Sequence, residues 1–290
     1  MSVETAAKPV VTAEPSAMVD TRTASMRAVY IIWYRDILRY WRDRWRLVAS
    51  LAQPLLFLVV FGSGLSSSLG GAFGRDTGIS YIQFMYPGII GMSILFTAIF
   101  GAMSIVWDRE FGFLKEVLVA PIDRWAVAIG KALGGTTQAM IQGLILLVLA
   151  PFVGVKLNLL TLFELVPLAA VLAFGLASFG VAIASMMKSL QGFQVVMNFL
   201  MMPMFFLSGA LFPLTNLPAW MTWLTRINPA SYGIDPIRRV VLANSGAVNV
   251  DSLGLTINSH VLAIPLEAGI MLAFGAVLLG VAVVMFQRRD

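Results

Sequence analysis

Six stretches of this sequence contain no Asp, Glu, Lys or Arg, and each is long enough to form a helix that crosses a membrane. A hydrocarbon core about 30 Å thick needs roughly 20 apolar residues per helical crossing. Charged residues make up only 12% of the 290 residues, whereas 59% are hydrophobic. This pattern predicts an all-α polytopic membrane protein. The stretches are Leu47–Gly74, Thr77–Trp107, Ala132–Val155, Leu165–Met187, Ser189–Thr225 and Ala268–Gln287.

The basic residues predict the orientation of these helices. Lys and Arg are retained in cytoplasmic loops, and an N-terminus on the inside places 15 of the 20 there. Arg288 and Arg289 at the other end then require an even number of crossings. Gly and Pro residues divide the stretches into six crossings, predicted at about 47–67, 81–106, 126–152, 164–187, 193–212 and 264–286, within a membrane domain that covers residues 47–290.

The chain before the first crossing has two parts. Residues 1–25 have too little apolar surface to fold and are predicted to be a disordered cytoplasmic tail. Residues 26–46 are predicted to form an amphipathic helix in the inner interface, with arginines facing anionic lipid phosphates. Its aromatic stripe is Trp33, Ile37, Trp41 and Trp45, and its basic stripe is Arg35, Arg39, Arg42 and Arg46. A solvated helix that merely precedes the span is the alternative.

The usual signs of catalysis are missing from the sequence. There is no cysteine, and the single histidine, His260, has no acidic residue nearer than Glu267. Gly130-Lys131 is followed by alanine, so the phosphate-binding P-loop pattern fails. Ion-coupled transport would place ionisable groups in the middle of a span, but Lys131, Glu164 and Glu267 lie near span ends. We therefore expect no metal site, no cofactor and no nucleic acid, and an energy source in a partner chain.

The cytoplasmic loop at residues 107–125 is the predicted docking site for that partner. Asp108, Arg109 and Glu110 make one side polar, while Phe111 and other apolar residues follow at helical spacing. A short helix with an apolar ridge between charged flanks is typical of protein docking. The alternative is a helix that folds back on the membrane surface.

Between the fifth and sixth crossings, residues 213–245 depart from the apolar pattern because they carry four charged side chains. Each charge would cost roughly 2.5–3.5 kcal/mol at mid-bilayer. We expect two short helices that enter the outer leaflet and return. A seventh crossing is the alternative.

Several short motifs resemble the ABC-2 type permeases, in particular the branch typified by the daunorubicin-resistance membrane subunit. The likeness covers nearly the whole chain after about residue 26. The motifs are Gln53-Pro54, Phe61-Gly62, Tyr86-Pro87-Gly88, Asp108 through Gly112, Ala120-Pro121, Leu207-Ser208-Gly209, Phe212-Pro213, Leu217-Pro218 and Asn228-Pro229.

The resemblance implies a permease subunit in a bacterial cytoplasmic (inner) membrane, paired with a second copy or a related permease and with ATPase chains that bind ATP and Mg. It implies that residues of the loop couple to the ATPase, and that residues after the fifth crossing close the exit. The coupling set is Arg109, Glu110, Phe111, Gly112, Leu114, Glu116, Pro121 and Arg124. The exit set is Ser208, Gly209, Pro213, Pro218, Trp220, Asn228, Pro229, Tyr232, Asp235 and Arg238.

The substrate stays open at this stage. Methionines and phenylalanines of the fifth crossing, such as Met197 and Phe205, suit a hydrophobic or amphipathic drug, lipid or lipid-linked glycan, but they equally suit helix packing. A scaffold or immunity protein without transport is the alternative function. A membrane-embedded enzyme is a further one.

Overall fold

A computed structural model of the chain describes residues 21–111, 123–155, 157–214, 217–245, 254–257 and 260–288. Its helices are α1 (Thr21–Arg42), α2 (Arg44–Thr77), α3 (Tyr81–Gly101), α4 (Met103–Glu110), α5 (Arg124–Val148), α6 (Leu159–Met186), α7 (Leu190–Phe206), α8 (Ala219–Ile227), α9 (Pro229–Asn244) and α10 (Ile264–Arg288). A 3-10 turn at Ala150–Val153 follows α5, and two short antiparallel strands, β1 (Thr256–Ile257) and β2 (His260–Val261), precede α10. The all-α prediction is confirmed.

Four helical stretches of the described residues are long and apolar enough to cross a membrane: Leu47–Gly64, Tyr81–Glu110, Leu159–Met186 and Ile264–Arg288. They match the first, second, fourth and sixth predicted crossings. The fifth crossing corresponds to α7, which is apolar but has only 17 residues. The third corresponds to α5, which has 25 residues and carries Lys131. The fold is therefore that of an all-α membrane protein.

The central helix is α3, which packs against α2, α5, α6 and α9. Glycine permits its closest approaches, as is common between membrane helices. A Cβ atom added to Gly101 would lie 3.1 Å from the Cα of Gly135 on α5, and one added to Gly135 would lie 3.3 Å from the Cβ of Ala177 on α6. Contacts of Lys131 with Asp108 and of Arg124 with the Phe286 carbonyl bring α4, the start of α5 and the end of α10 together. We call this the basic end of the bundle.

Several helix bounds differ from the predicted ones. Helix α1 covers Thr21–Arg42, so it begins within the predicted tail and ends before residue 46, and Trp45 belongs to the first turn of α2. The fifth crossing ends at Phe206, not at residue 212. The amide of Leu207 bonds to the Pro203 carbonyl at 2.9 Å, and Gly209 has a left-handed φ of 78° that a helix cannot continue through.

Candidate functional site

Helix α1 lies along α5 and runs parallel to it. The contacts follow in the same order on both helices. Near the start of α1, the Ser25 hydroxyl donates to the Asp123 carboxylate at 2.9 Å. Further along, Ile32 packs against Gly130, and the Tyr40 hydroxyl donates to Oε1 of Gln142 at 2.8 Å. The buried face of α1 therefore consists of Ser25, Ala28, Ile32, Asp36 and Tyr40.

The predicted aromatic stripe is not the buried face of α1. Trp33 is half-buried, and its indole Nε1 donates to Thr137 on α5 at 3.0 Å. Trp41 and Trp45 are 61% and 85% exposed. Of the predicted arginines, Arg35 is half-buried, whereas Arg39 and Arg42 are exposed. Packing on α5 selects a face one position away from the aromatic stripe, and the contact of that stripe with lipid stays a prediction.

A buried charge cluster joins α1, α4 and α5 at the basic end. Lys131 Nζ lies 3.2 Å from Asp36 Oδ2 and 2.9 Å from Asp108 Oδ2, and it donates to the Ser104 hydroxyl at 2.9 Å. Arg35 Nη2 lies 2.9 Å from the same Asp108 oxygen. Two cations and two carboxylates thus neutralise one another where three helices meet.

Sequence reasoning placed Lys131 near a span end and missed this cluster. The available signal was that Asp36 is the one acidic residue among the arginines of α1 and falls on its buried face. Beside the cluster, a cavity of about 380 Å³ opens between α1 and α4. Its lining consists of Arg35, Arg39, Trp107, Asp108 and Phe111.

The end of α4 caps two other helices. Arg109 Nη1 donates to the carbonyl of Ser185 at 3.2 Å and to that of Met187, which are the last carbonyls of α6. Glu110 Oε2 accepts the backbone amide of Leu190 at 2.8 Å, at the first turn of α7. A cation at the C-terminus of a helix and an anion at its N-terminus each interact favourably with the helix dipole. Two adjacent predicted coupling residues therefore hold the α6–α7 turn.

The other end of the predicted coupling loop contacts α10. Arg124 Nη1 donates to the carbonyls of Phe286 and Gln287 at 3.1 Å each, at the last turn of that helix. Phe111 is 66% exposed and packs against Trp107 in a tilted arrangement, with ring centroids 5.0 Å apart. Four predicted coupling residues, Gly112, Leu114, Glu116 and Pro121, lie outside the described residues.

At the opposite end of the bundle, the turn after α7 packs on the start of α3. The buried Ser208 hydroxyl donates to the Phe205 carbonyl at 2.6 Å, and the Tyr81 hydroxyl donates to the Leu211 carbonyl at 3.0 Å. Gly88 of α3 faces the backbone of Ala210 so closely that a Cβ atom would overlap the carbonyl oxygen. The motifs around residues 86–88 and 207–209 therefore form one contact.

Helices α8 and α9 form a bent pair beyond this turn. Asn228 accepts the amide of Ala230 at 3.1 Å, which caps α9, and Pro229 occupies its first position. The Tyr232 hydroxyl donates to the Arg226 carbonyl at 2.7 Å. The remaining predicted exit residues differ in exposure: Pro213 is half-buried, and Pro218 and Trp220 are exposed.

The charges of α9 are paired inside the protein. Arg239 lies 3.2 Å from Asp235 and 2.8 Å from Glu267 of α10, and Asp235 also accepts the Leu255 amide at 3.0 Å. Arg238 is fully buried, with its guanidinium 5.1 Å from the Phe84 ring and 3.9 Å from Asp235. Arg239 and Glu267, which were not predicted site residues, complete this network.

Comparison with known proteins identifies the family. Residues 27–242, well over half of the chain, match the model of the family described as ABC-2 type transporter. A putative transport permease (ycf38) of Pyropia yezoensis is 31% identical over 215 residues, which is 70% of each chain. Nodulation protein J of Rhizobium leguminosarum bv. trifolii is 29% identical, over 76% of this chain and 81% of that protein. The inner membrane transport permease YadH of Escherichia coli K12 is 26% identical, over 79% of this chain and 89% of that protein. The chain belongs to the ABC-2 type transporter family.

Proposed function

We propose that this chain is the permease subunit of an ATP-driven exporter whose ATPase is a separate chain docked at the basic end of the bundle. The observation that carries the proposal is the capping of α6 and α7 by Arg109 and Glu110. A push on the segment after Phe111 would move these caps and with them both helices. Relatives described as transport permeases support the same role.

The ATPase contact consists of α1, α4 and the segment up to Arg124. Lys131 joins α1 to α4 through Asp36 and Asp108, so the two surfaces move as one body. Arg124 extends the connection to α10. Transport requires an element with two discrete packings. The proposed element is the pair of helix ends that Arg109 and Glu110 cap.

The proposed topology has six crossings, formed by α2, α3–α4, α5, α6, α7 and α10, with both termini in the cytoplasm of a bacterial inner membrane. Helices α8 and α9 enter the outer leaflet and return. The burial of Asp235 and Arg238 in ion pairs supports this placement, because it lets a charged helix lie among apolar ones.

A second copy of the chain is proposed to cover α7. Four apolar residues of α7 are exposed at helical spacing: Val195, Phe199, Met202 and Phe206. They form one stripe, which is the pattern expected of a helix–helix contact. The path between two copies would carry a hydrophobic or amphipathic substrate.

The coupling role is tested by charge reversal at Glu110. Glu110→Lys places a cation at the N-terminus of α7 and removes the cap on Leu190. We expect membrane insertion and dimer formation to persist, while substrate-stimulated ATP hydrolysis by the reconstituted complex falls at least about tenfold, equivalent to about 1.4 kcal/mol of coupling. The control is Glu164→Lys, which alters an exposed acid on the far turn of α6. Equal hydrolysis in both variants would contradict the proposal.

The topology is tested by labelling single cysteines, since the natural chain has none. Ser80→Cys and Asn158→Cys lie in proposed outer loops, and Ser189→Cys and Gln287→Cys lie at the proposed inner face. A membrane-impermeant maleimide added to intact cells should label the first pair alone. Labelling of Ser189→Cys from outside would refute the six-crossing arrangement.

A further inference from the structure

A cavity of about 410 Å³ lies between α1, α2, α3 and the first residue of α4. Its residues on α2 and α3 fall within the stretches Leu47–Gly64 and Tyr81–Glu110, both of which are apolar enough to span a membrane. The volume falls within the range of small-molecule sites, about 300–1,000 Å³. None of the described lining residues is charged, and the lining includes Tyr40, Ser50, Gln53, Ser93, Phe96 and Phe100.

One hydroxyl of this wall lacks a partner among the described residues. Ser93 is 2% exposed and lines the cavity, and its hydroxyl makes no hydrogen bond there. Buried polar groups of native proteins are normally paired, which makes this hydroxyl informative. Nearby on α2, Pro54 has no N–H, so the carbonyl of Ser50 loses the donor that a helix normally supplies at the fourth following residue.

Further polar side chains lie near Ser93 and Ser50. Gln142 Oε1 accepts from the Tyr40 hydroxyl at 2.8 Å and from the Ser50 hydroxyl at 3.0 Å, while its Nε2 has no partner in the described part of the chain. Gln53 is exposed on α2, and most of the apolar stretch of that helix is exposed as well. The cavity is thus bounded by a helix whose surface is largely uncovered in the single chain.

We infer that this cavity binds an uncharged amphipathic molecule that enters from the bilayer. Its hydroxyl group accepts from the Ser93 hydroxyl and donates to the Ser50 carbonyl, and its apolar part lies along Phe96 and Phe100. A charged headgroup is disfavoured, because none of the described lining residues would offset the cost of removing an ion from water. As a substrate site the cavity rests on the proposed function, but binding itself does not.

The test uses two probes that share one acyl chain and differ by a phosphate: a diazirine-bearing monoacylglycerol and the matching lysophosphatidic acid. Full-length protein in nanodiscs of uncharged lipid is photolabelled without any ATPase, and the labelled residues are mapped by mass spectrometry. We expect the monoacylglycerol to label α2 and α3 residues of the cavity at least about tenfold more efficiently than the phosphate analogue.

Two variants test separately the hydrogen bond to Ser93 and the need for an open cavity. Ser93→Ala should weaken monoacylglycerol binding about fivefold, and Thr97→Phe, which fills the cavity, should abolish labelling there. The matched control is Ser178→Ala on α6, which removes another buried hydroxyl without a described partner, outside the cavity, and should leave binding unchanged.

Equal labelling by both probes, no effect of Thr97→Phe, or cross-linking of the cavity to a second copy of the chain would overturn the inference. Labelling is measured without the ATPase, so the two proposals can fail separately. If the cavity is labelled but the complex does not transport, the proposed permease function is wrong and the binding site stands. If the complex transports but the cavity is not labelled, only the proposed binding site is wrong.

Discussion

Replacing Lys131 by methionine removes the cation that Asp36 and Asp108 share, while an apolar chain of similar length fills its space. The side chains of Lys131, Asp36 and Asp108 are 2%, 4% and 8% exposed, so water cannot replace the lost contact. Arg35 reaches Asp108 at 2.9 Å but lies 3.7 Å from Asp36. Lys131→Met therefore leaves Asp36 as a buried and poorly compensated charge.

Removing one partner of a buried ion pair costs about 3–5 kcal/mol, and we expect that loss in the free energy of unfolding. It can be measured by titrating the protein in mixed micelles with dodecyl sulfate and following tryptophan fluorescence. The control Lys188→Met changes an exposed lysine and should cost no more than about 0.5 kcal/mol.

A double-mutant cycle identifies the cause of the loss. If the stranded Asp36 charge is the cost, Asp36→Asn should recover about 1–3 kcal/mol in the Lys131→Met background, although it destabilises the natural protein. Additive losses, or a Lys131→Met loss below about 1 kcal/mol, would refute the view that the cluster is buried and mutually compensated.

Two more changes test the opposite end of the bundle. Gly88→Ala should destabilise the protein by about 1–3 kcal/mol in the same titration, because the added Cβ overlaps the Ala210 carbonyl; Gly269→Ala, where the space is open, should be neutral or stabilising. Arg239→Ala removes the cation that pairs with Asp235 and Glu267 and should lower the free energy of unfolding by about 3–5 kcal/mol. If adding Glu267→Gln restores stability, the unpaired carboxylate is the cause of the loss. A Gly88→Ala protein as stable as Gly269→Ala, or an Arg239→Ala loss under about 1 kcal/mol, would contradict these contacts.

Most helices could be predicted from the sequence because each depends on a local property. An uncharged stretch has no alternative to a helix in lipid, where every backbone polar group must be bonded within the segment. The starts of α3 and α10 accordingly fall at the predicted residues Tyr81 and Ile264. The predicted end of the fifth crossing failed because composition stays apolar through the turn after Phe206, while backbone conformation at Gly209 ends the helix.

The contacts of the candidate site could be predicted only as segments. The charged ends of the loop at residues 107–125 indicated Arg109 and Glu110 as candidate coupling residues, yet nothing local indicates that they cap α6 and α7, whose nearest residues lie more than seventy positions away. The aromatic stripe of α1 could not indicate which face packs inside the protein, because the shape of α5 at Gly130 and Gly134 decides which side chains fit.

The sequence by itself determined that this chain is a helical membrane protein, since hydrophobic length and charge are properties of each segment alone. Only the tertiary structure decided which charges meet. Lys131 is compensated by Asp36, 95 positions away, and Arg239 by Glu267, 28 positions away. A buried charge is stable only beside an opposite one, and that proximity is created by packing rather than by order along the chain.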